Sequence, residues 1–110
     1  MEYVALFPNL LLGVHRDQCY GIILLPDEPN RAIEHVEIYY AQDAATKSAF
    51  ADMRAANTTM WRDIFIEDVF VFEGMQKGRH SGQIDGGKFS AVMDTPTHHF
   101  HRWVATALSG

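Results

Sequence analysis

The sequence predicts an α+β fold, an antiparallel sheet laid down first and helices after it. Two observations carry this. Up to Ala41 the chain alternates short apolar, β-type runs with tight turn signals, and from Asp43 onward it is rich in helix formers with few breaks. Strands joined by short connections pair antiparallel, and strands followed by segregated helices are the α+β pattern.

The strands come first. Val4 to Phe7 is a short apolar run stopped by Pro8-Asn9, and Leu10 to Val14 comes next. His15-Arg16-Asp17-Gln18 reads as a turn, and Cys19 to Leu25 as a strongly apolar strand. Pro26-Asp27-Glu28-Pro29-Asn30 is a loop signal, with two prolines among turn formers. Arg31 to Ala41 alternates, with Val36, Ile38 and Tyr40 on one face and His35, Glu37 and Tyr39 on the other. Four strands make an open sheet with at least one bare edge.

The helices come after them. Asp43 suits the N-cap of a helix from Ala44 to about Ala56. Asn57-Thr58-Thr59 marks a break, and a second helix is expected from about Met60 to Lys77, closed by Gly78. His80 to Lys88, with Gly82, Gly86 and Gly87, reads as loop. Asp94-Thr95-Pro96 opens a last helix, proline being favoured in a first turn. Phe100, Val104 and Leu108 form its apolar stripe.

Composition excludes several classes. Hydrophobic residues make up 47% of 110 residues, enough for a packed core. The net charge is −5, and the nine Lys and Arg form no run, which argues against a nucleic-acid partner. The single cysteine, Cys19, cannot make an internal disulfide, a zinc knuckle or an iron–sulfur cluster, and fits a reducing, cytoplasmic location. No segment approaches the roughly 20 apolar residues of a membrane span, and the first residues lack the basic start of a secretory signal. The sequence opens directly in strand-type residues, as a portion of a larger domain would. No phosphate-binding glycine loop and no nucleophile elbow is present.

Asp68 is the most informative residue. On a helical wheel Trp61, Ile64, Phe65, Val71, Phe72 and Met75 lie within about 60° of its direction, while Asp63, Glu67 and Glu73 point away. A carboxylate in such a stripe is expected to be buried, and it must then be protonated, hydrogen-bonded or bound to a cation. Most such residues are partners of an Arg, a His or a Trp N–H rather than ligands. His98 and His101, at i and i+3, could share a metal, with Asp94 four residues before His98. A polar first turn of a helix is the commoner explanation for these and for His99. His15, His35 and His80 stand apart, and Cys19 reads as a small core residue.

Three stretches resemble one family. They are Leu6-Phe7-Pro8-Asn9-Leu10-Leu11-Leu12, then Ile66-Glu67-Asp68-Val69-Phe70-Val71-Phe72-Glu73-Gly74-Met75-Gln76-Lys77-Gly78, then His98-His99-Phe100-His101-Arg102-Trp103. Their order and spacing are similar to the C-terminal part of the catalytic domain of Rieske-type ring-hydroxylating oxygenase α subunits. The resemblance implies a partial helix-grip fold of the Bet v 1/START-like kind, with a curved antiparallel sheet and a long helix across it. It implies a mononuclear Fe(II) held by two His and one carboxylate, the triad that leaves positions open for O₂ and substrate. The carboxylate maps onto Asp68. The two His ligands and the [2Fe–2S] Rieske domain belong to segments this sequence does not contain, so His98, His99 and His101 are not assigned to the triad.

The resemblance sets one expectation for a whole oxygenase and another for this chain. The whole protein would take electrons from a reductase or ferredoxin and use O₂ to hydroxylate an aromatic ring or demethylate a small substrate. Phe7, Leu10, Leu12, Phe65 and Phe72 are candidates for its pocket wall. The isolated chain is expected to be inactive, to hold no cofactor and to self-associate. The alternative is a small helix-grip module that binds an apolar ligand without metal.

Overall fold

The computed structural model describes every residue except Asp85, which falls in the loop expected from His80 to Lys88. It contains a four-stranded antiparallel sheet and a long helix, the expected α+β arrangement and the elements of a helix-grip fold. The chain divides into two compact units, Met1–Thr58 and Thr59–Gly110.

The first unit is a meander of β1 (Glu2–Leu6), β2 (Leu10–Val14), β3 (Gln18–Glu28) and β4 (Arg31–Tyr40), in that spatial order. Register assigns the faces. Tyr20 pairs with Gly13 and Ile38, Ile22 with Leu11 and Val36. That face holds the packed centre: Tyr20 and Ile22 are buried, and Leu24, Val36, Ile38 and Tyr40 are half-buried. The alternation read in β4 is therefore real. The opposite face carries Val4, Leu6, Leu10, Leu12, Val14, Ile23, Leu25 and Ile33, none of them buried.

β3 is longer than its prolines suggest. The Leu24 N–H faces β2 and donates to the Asn9 carbonyl at 2.9 Å. Two residues on, the Pro26 nitrogen faces the same side, past the end of β2, so its missing N–H leaves no ladder bond unmade. The strand continues through a register irregularity between Pro26 and Glu28 and turns only at Pro29-Asn30. Asn9 Nδ2 also donates to the Leu24 carbonyl at 3.0 Å, tying the turn after β1 to β3.

The helices depart from the expected boundaries. A single turn, α1 (Asp43–Thr46), is followed by a 3-10 turn at Ser48–Phe50 and then by one continuous helix, α2 (Ala51–His80). The break lies at Lys47, which is extended, and not at Asn57. Gln42, with φ 52°, holds the N-cap position without a side-chain bond. Asp43 sits inside the first turn, where Lys47 Nζ donates to it at 2.6 Å. Arg54 donates to the carbonyls of Ala44 and Lys47 at 2.7 and 3.2 Å, satisfying backbone acceptors where α1 stops. Asn57 stays helical because its amide is engaged elsewhere, donating to the Gln18 side chain and, at 2.8 Å, to the Tyr40 hydroxyl. Thr58 Oγ1 back-bonds to the Arg54 carbonyl at 2.9 Å.

The second unit contains the rest of α2, a loop and α3 (Thr95–Ser109). α2 runs past Gly78 to His80, and Gly82, with φ +69°, takes the left-handed turn after it. Asp94 precedes α3 as expected, with Pro96 in its first turn. The Asp94 carboxylate accepts from the Ser90 N–H at 2.7 Å and not from the helix itself. On the expected stripe of α3 only Val104 is half-buried, and Leu108 is 84% exposed.

Candidate metal and substrate site

Asp68 lies seven residues after Trp61 and three after Phe65, on one line along α2. Trp61 is buried and Phe65 half-buried, and their rings stack at 5.6 Å. Asp68 continues that line, but it is exposed. So are Ile64, Val71, Phe72 and Met75, the apolar residues around it on the helix. The burial expected of the carboxylate is absent, because no described residue covers the stripe beyond Phe65. Among the described residues Asp68 has no hydrogen-bond or ion-pair partner, so the salt bridge expected of a structural carboxylate is absent too.

The pocket candidates divide between the two units. Leu10 and Leu12 are half-buried neighbours on the more open face of the sheet, and Phe7 lies in the turn after β1, 39% exposed. Phe65 and Phe72 stand two turns apart on α2, with Phe65 against Trp61 and Phe72 exposed. Within the first unit the start of α2 is bonded to Gln18 and Tyr40, on the face opposite Leu10 and Leu12.

His98 and His101 are brought together by an aromatic ring. Phe89 stands 5.0 Å from the His98 ring and 5.1 Å from the His101 ring. Both imidazoles pack against that ring, which accounts for their spacing without a shared ion. His99 is exposed.

One polar constellation joins three side chains that the alternation of β4 puts on one face, although the sequence reading gives His35 no partner. On the open face of β4, the Glu37 carboxylate accepts from the Tyr39 hydroxyl and meets His35 Nε2 at 3.1 Å. The Tyr39 hydroxyl first, and then His35, hold the Glu37 carboxyl below its usual range. The same bond holds the Tyr39 phenol above its usual range. The signal is present in the alternation itself: residues at i, i+2 and i+4 of a strand share a face.

The family described as ring hydroxylating alpha subunit (catalytic domain) matches residues 1–110. This chain belongs to that family. The ring-hydroxylating α subunits are oxidoreductases, and the Asp68 helix and the four-stranded sheet are therefore parts of an oxygenase catalytic domain. No curated protein and no solved structure matches the chain significantly. The family's mononuclear iron needs two imidazoles and a carboxylate. Among the described residues no three His, Cys, Asp or Glu side chains converge to hold a metal ion. The donors brought together in this chain do not by themselves make up such a site.

Proposed function

We propose that this chain is the C-terminal portion of the catalytic domain of a Rieske non-haem iron oxygenase α subunit, and that it contributes Asp68 as the carboxylate ligand of the mononuclear iron. The family match along residues 1–110 carries this reading. The position of Asp68 supports it: an acid without an ion pair, in line with Trp61 and Phe65 and flanked by Val71 and Phe72. In the intact protein two imidazoles from an upstream segment complete the site, and the carboxylate supplies neutralising charge to Fe(II). The [2Fe–2S] cluster sits in a preceding Rieske domain and receives electrons from a reductase or ferredoxin. The reaction class is O₂-dependent hydroxylation of an aromatic ring or oxidative demethylation of a small substrate. Phe7, Leu10, Leu12, Phe65 and Phe72 contribute to the pocket wall of the assembled domain. The oxygenase is cytoplasmic and oligomeric, and this chain alone does not turn over substrate.

The test is made in the polypeptide that carries the imidazoles. Coding sequence upstream of Met1 with a C-x-H…C-x-x-H pattern and then a His pair is the expected finding. The protein made from it binds iron and consumes O₂ with substrate, and Asp68→Ala removes both properties. Upstream sequence without that pattern overturns the reading. Full iron content in the Asp68→Ala protein overturns the role of Asp68.

A further inference from the structure

His35, Glu37 and Tyr39 stand at i, i+2 and i+4 of β4, so their side chains rise from one face of the strand. All three are exposed. Glu37 divides its carboxylate between its two neighbours. Oε1 meets His35 Nε2 at 3.1 Å, and Oε2 accepts from the Tyr39 hydroxyl. The nitrogen and Oε1 are held as two ligands of one ion would be, since donors each about 2.0–2.2 Å from Zn²⁺ lie about 3.0–3.5 Å apart. Tyr39 grips the other oxygen and fixes the orientation of the carboxylate, as the outer partner of a metal-binding carboxylate does. There is room on the β3 side. Gly21 is the cross-strand partner of Glu37. A Cβ built on Gly21 would meet, among the described residues, only Leu12 and Leu10, and no atom of Glu37 within 4 Å. Competing cations are scarce. Gln18 to Leu25 and Ala32 to Tyr40 contain no Lys or Arg, and Arg31, at the start of β4, is paired with Asp27 at 3.0 Å.

We propose that His35 and Glu37 bind a divalent late transition-metal ion, Zn²⁺ or the tighter-binding Cu²⁺, through Nε2 and Oε1, with Tyr39 positioning the carboxylate. Imidazole and carboxylate together suit these ions. Mg²⁺ and Ca²⁺ need several oxygen ligands and find a single carboxylate here. The ion takes the place of the His35–Glu37 contact, with His35 bound as the neutral ring, and water fills its remaining positions. A net charge of −5 favours the approach of a cation. Two protein ligands make an exchangeable site, loaded from free metal, and not a closed structural centre. Both ligands and the positioning residue lie on β4 between residues 35 and 39. The site therefore draws on no other strand and on no residue of the second unit. It is independent of the oxygenase reading, since it uses neither Asp68 nor the iron of the facial triad.

The experiment uses the full 110-residue chain with Zn²⁺ as the probe, followed by titration calorimetry and by the NMR signals of the six imidazoles. The His35 ring is expected to shift first in the titration, and excess Mg²⁺ is expected not to reverse the shift. This measurement is made on the unaltered chain, so it decides even where a variant fails to fold. His35→Ala and Glu37→Gln are each expected to weaken that binding by about tenfold or more. Tyr39→Phe keeps the ring and removes the hydroxyl. It is expected to weaken binding by about tenfold while His35 remains the ring that shifts. All three positions are exposed, so the sheet signal in circular dichroism should be unchanged. A control protein carrying both His98→Ala and His101→Ala is expected to bind Zn²⁺ at His35 as the parent does. The proposal is overturned by a His35 ring that does not move at millimolar Zn²⁺, or by a His35→Ala or Glu37→Gln protein that binds like the parent. Loss of the His35 shift in the control protein also overturns it. A Tyr39→Phe protein that binds like the parent overturns the positioning role of Tyr39.

Discussion

At the scale of the residue, the packed centre of the sheet depends on an absence. A Cβ built on Gly13 would lie 2.3 to 2.7 Å from two ring carbons and the hydroxyl oxygen of Tyr20, so that side chain occupies the space another would take. Gly13→Val is expected to force the ring off its place and to destabilise the chain by about 1–3 kcal/mol, seen as a lower urea midpoint. Tyr20 also sets a response to alkali. Burial first, and then the charge and hydrogen bond of Tyr3, raise its phenol above the usual value near 10. The folded chain favours the neutral phenol, so that stability is fully present below pH of about 10 and is lost as pH rises through the higher folded value. The urea midpoint should fall on the alkaline side, and Tyr20→Phe should flatten that fall. Neither the contact nor the shift is legible in the sequence, because cross-strand register decides which glycine meets which ring. Asp68 is the converse case. Its alignment with Trp61 and Phe65 is legible from the helical period, and its lack of cover is not, since a wheel gives direction and says nothing of what lies beyond.

At the scale of the element, α2 shows a local preference overruled by distant bonds. Asn57-Thr58-Thr59 has the composition of a break. The Asn57 amide instead reaches Gln18 and Tyr40, 39 and 17 residues away in the chain, and the local signal loses its force. Asn57→Ala is expected to cost about 1–2 kcal/mol, from two lost hydrogen bonds. Amide exchange should quicken over residues 51–58 and change little from Trp61 onward. Equal quickening along all of α2 would show that the helix start is held by something else. The strands are more legible than the helices, because alternation and short connections are local signals that no distant bond opposes. Even there, the end of β3 departs from expectation: the prolines are visible in the sequence, and the late start of β2 at Leu10, which makes Pro26 harmless, is not.

At the scale of the whole molecule, few of the described apolar side chains are covered. Only Tyr20, Ile22 and Trp61 are buried among the large hydrophobic residues described. Composition alone, at 47% hydrophobic, points to a well-filled core, because it counts apolar residues without saying whether this chain can cover them. Family membership is legible from three separated stretches whose order no single element reveals. A last consequence belongs to β3. Beyond Leu24 it has β4 as its one hydrogen-bonded neighbour, with Leu25 opposite Ile33 and Pro26 opposite Ala32. A two-stranded ribbon is marginal in water, so the same strand holds two lifetimes, a slow one at Tyr20 to Ile22 and a fast one at its tip. Deuterium should enter the amides from Leu25 to Ile33 well before those of Gly21 and Ile22, and the tip should open and close many times for each unfolding of the sheet that carries it.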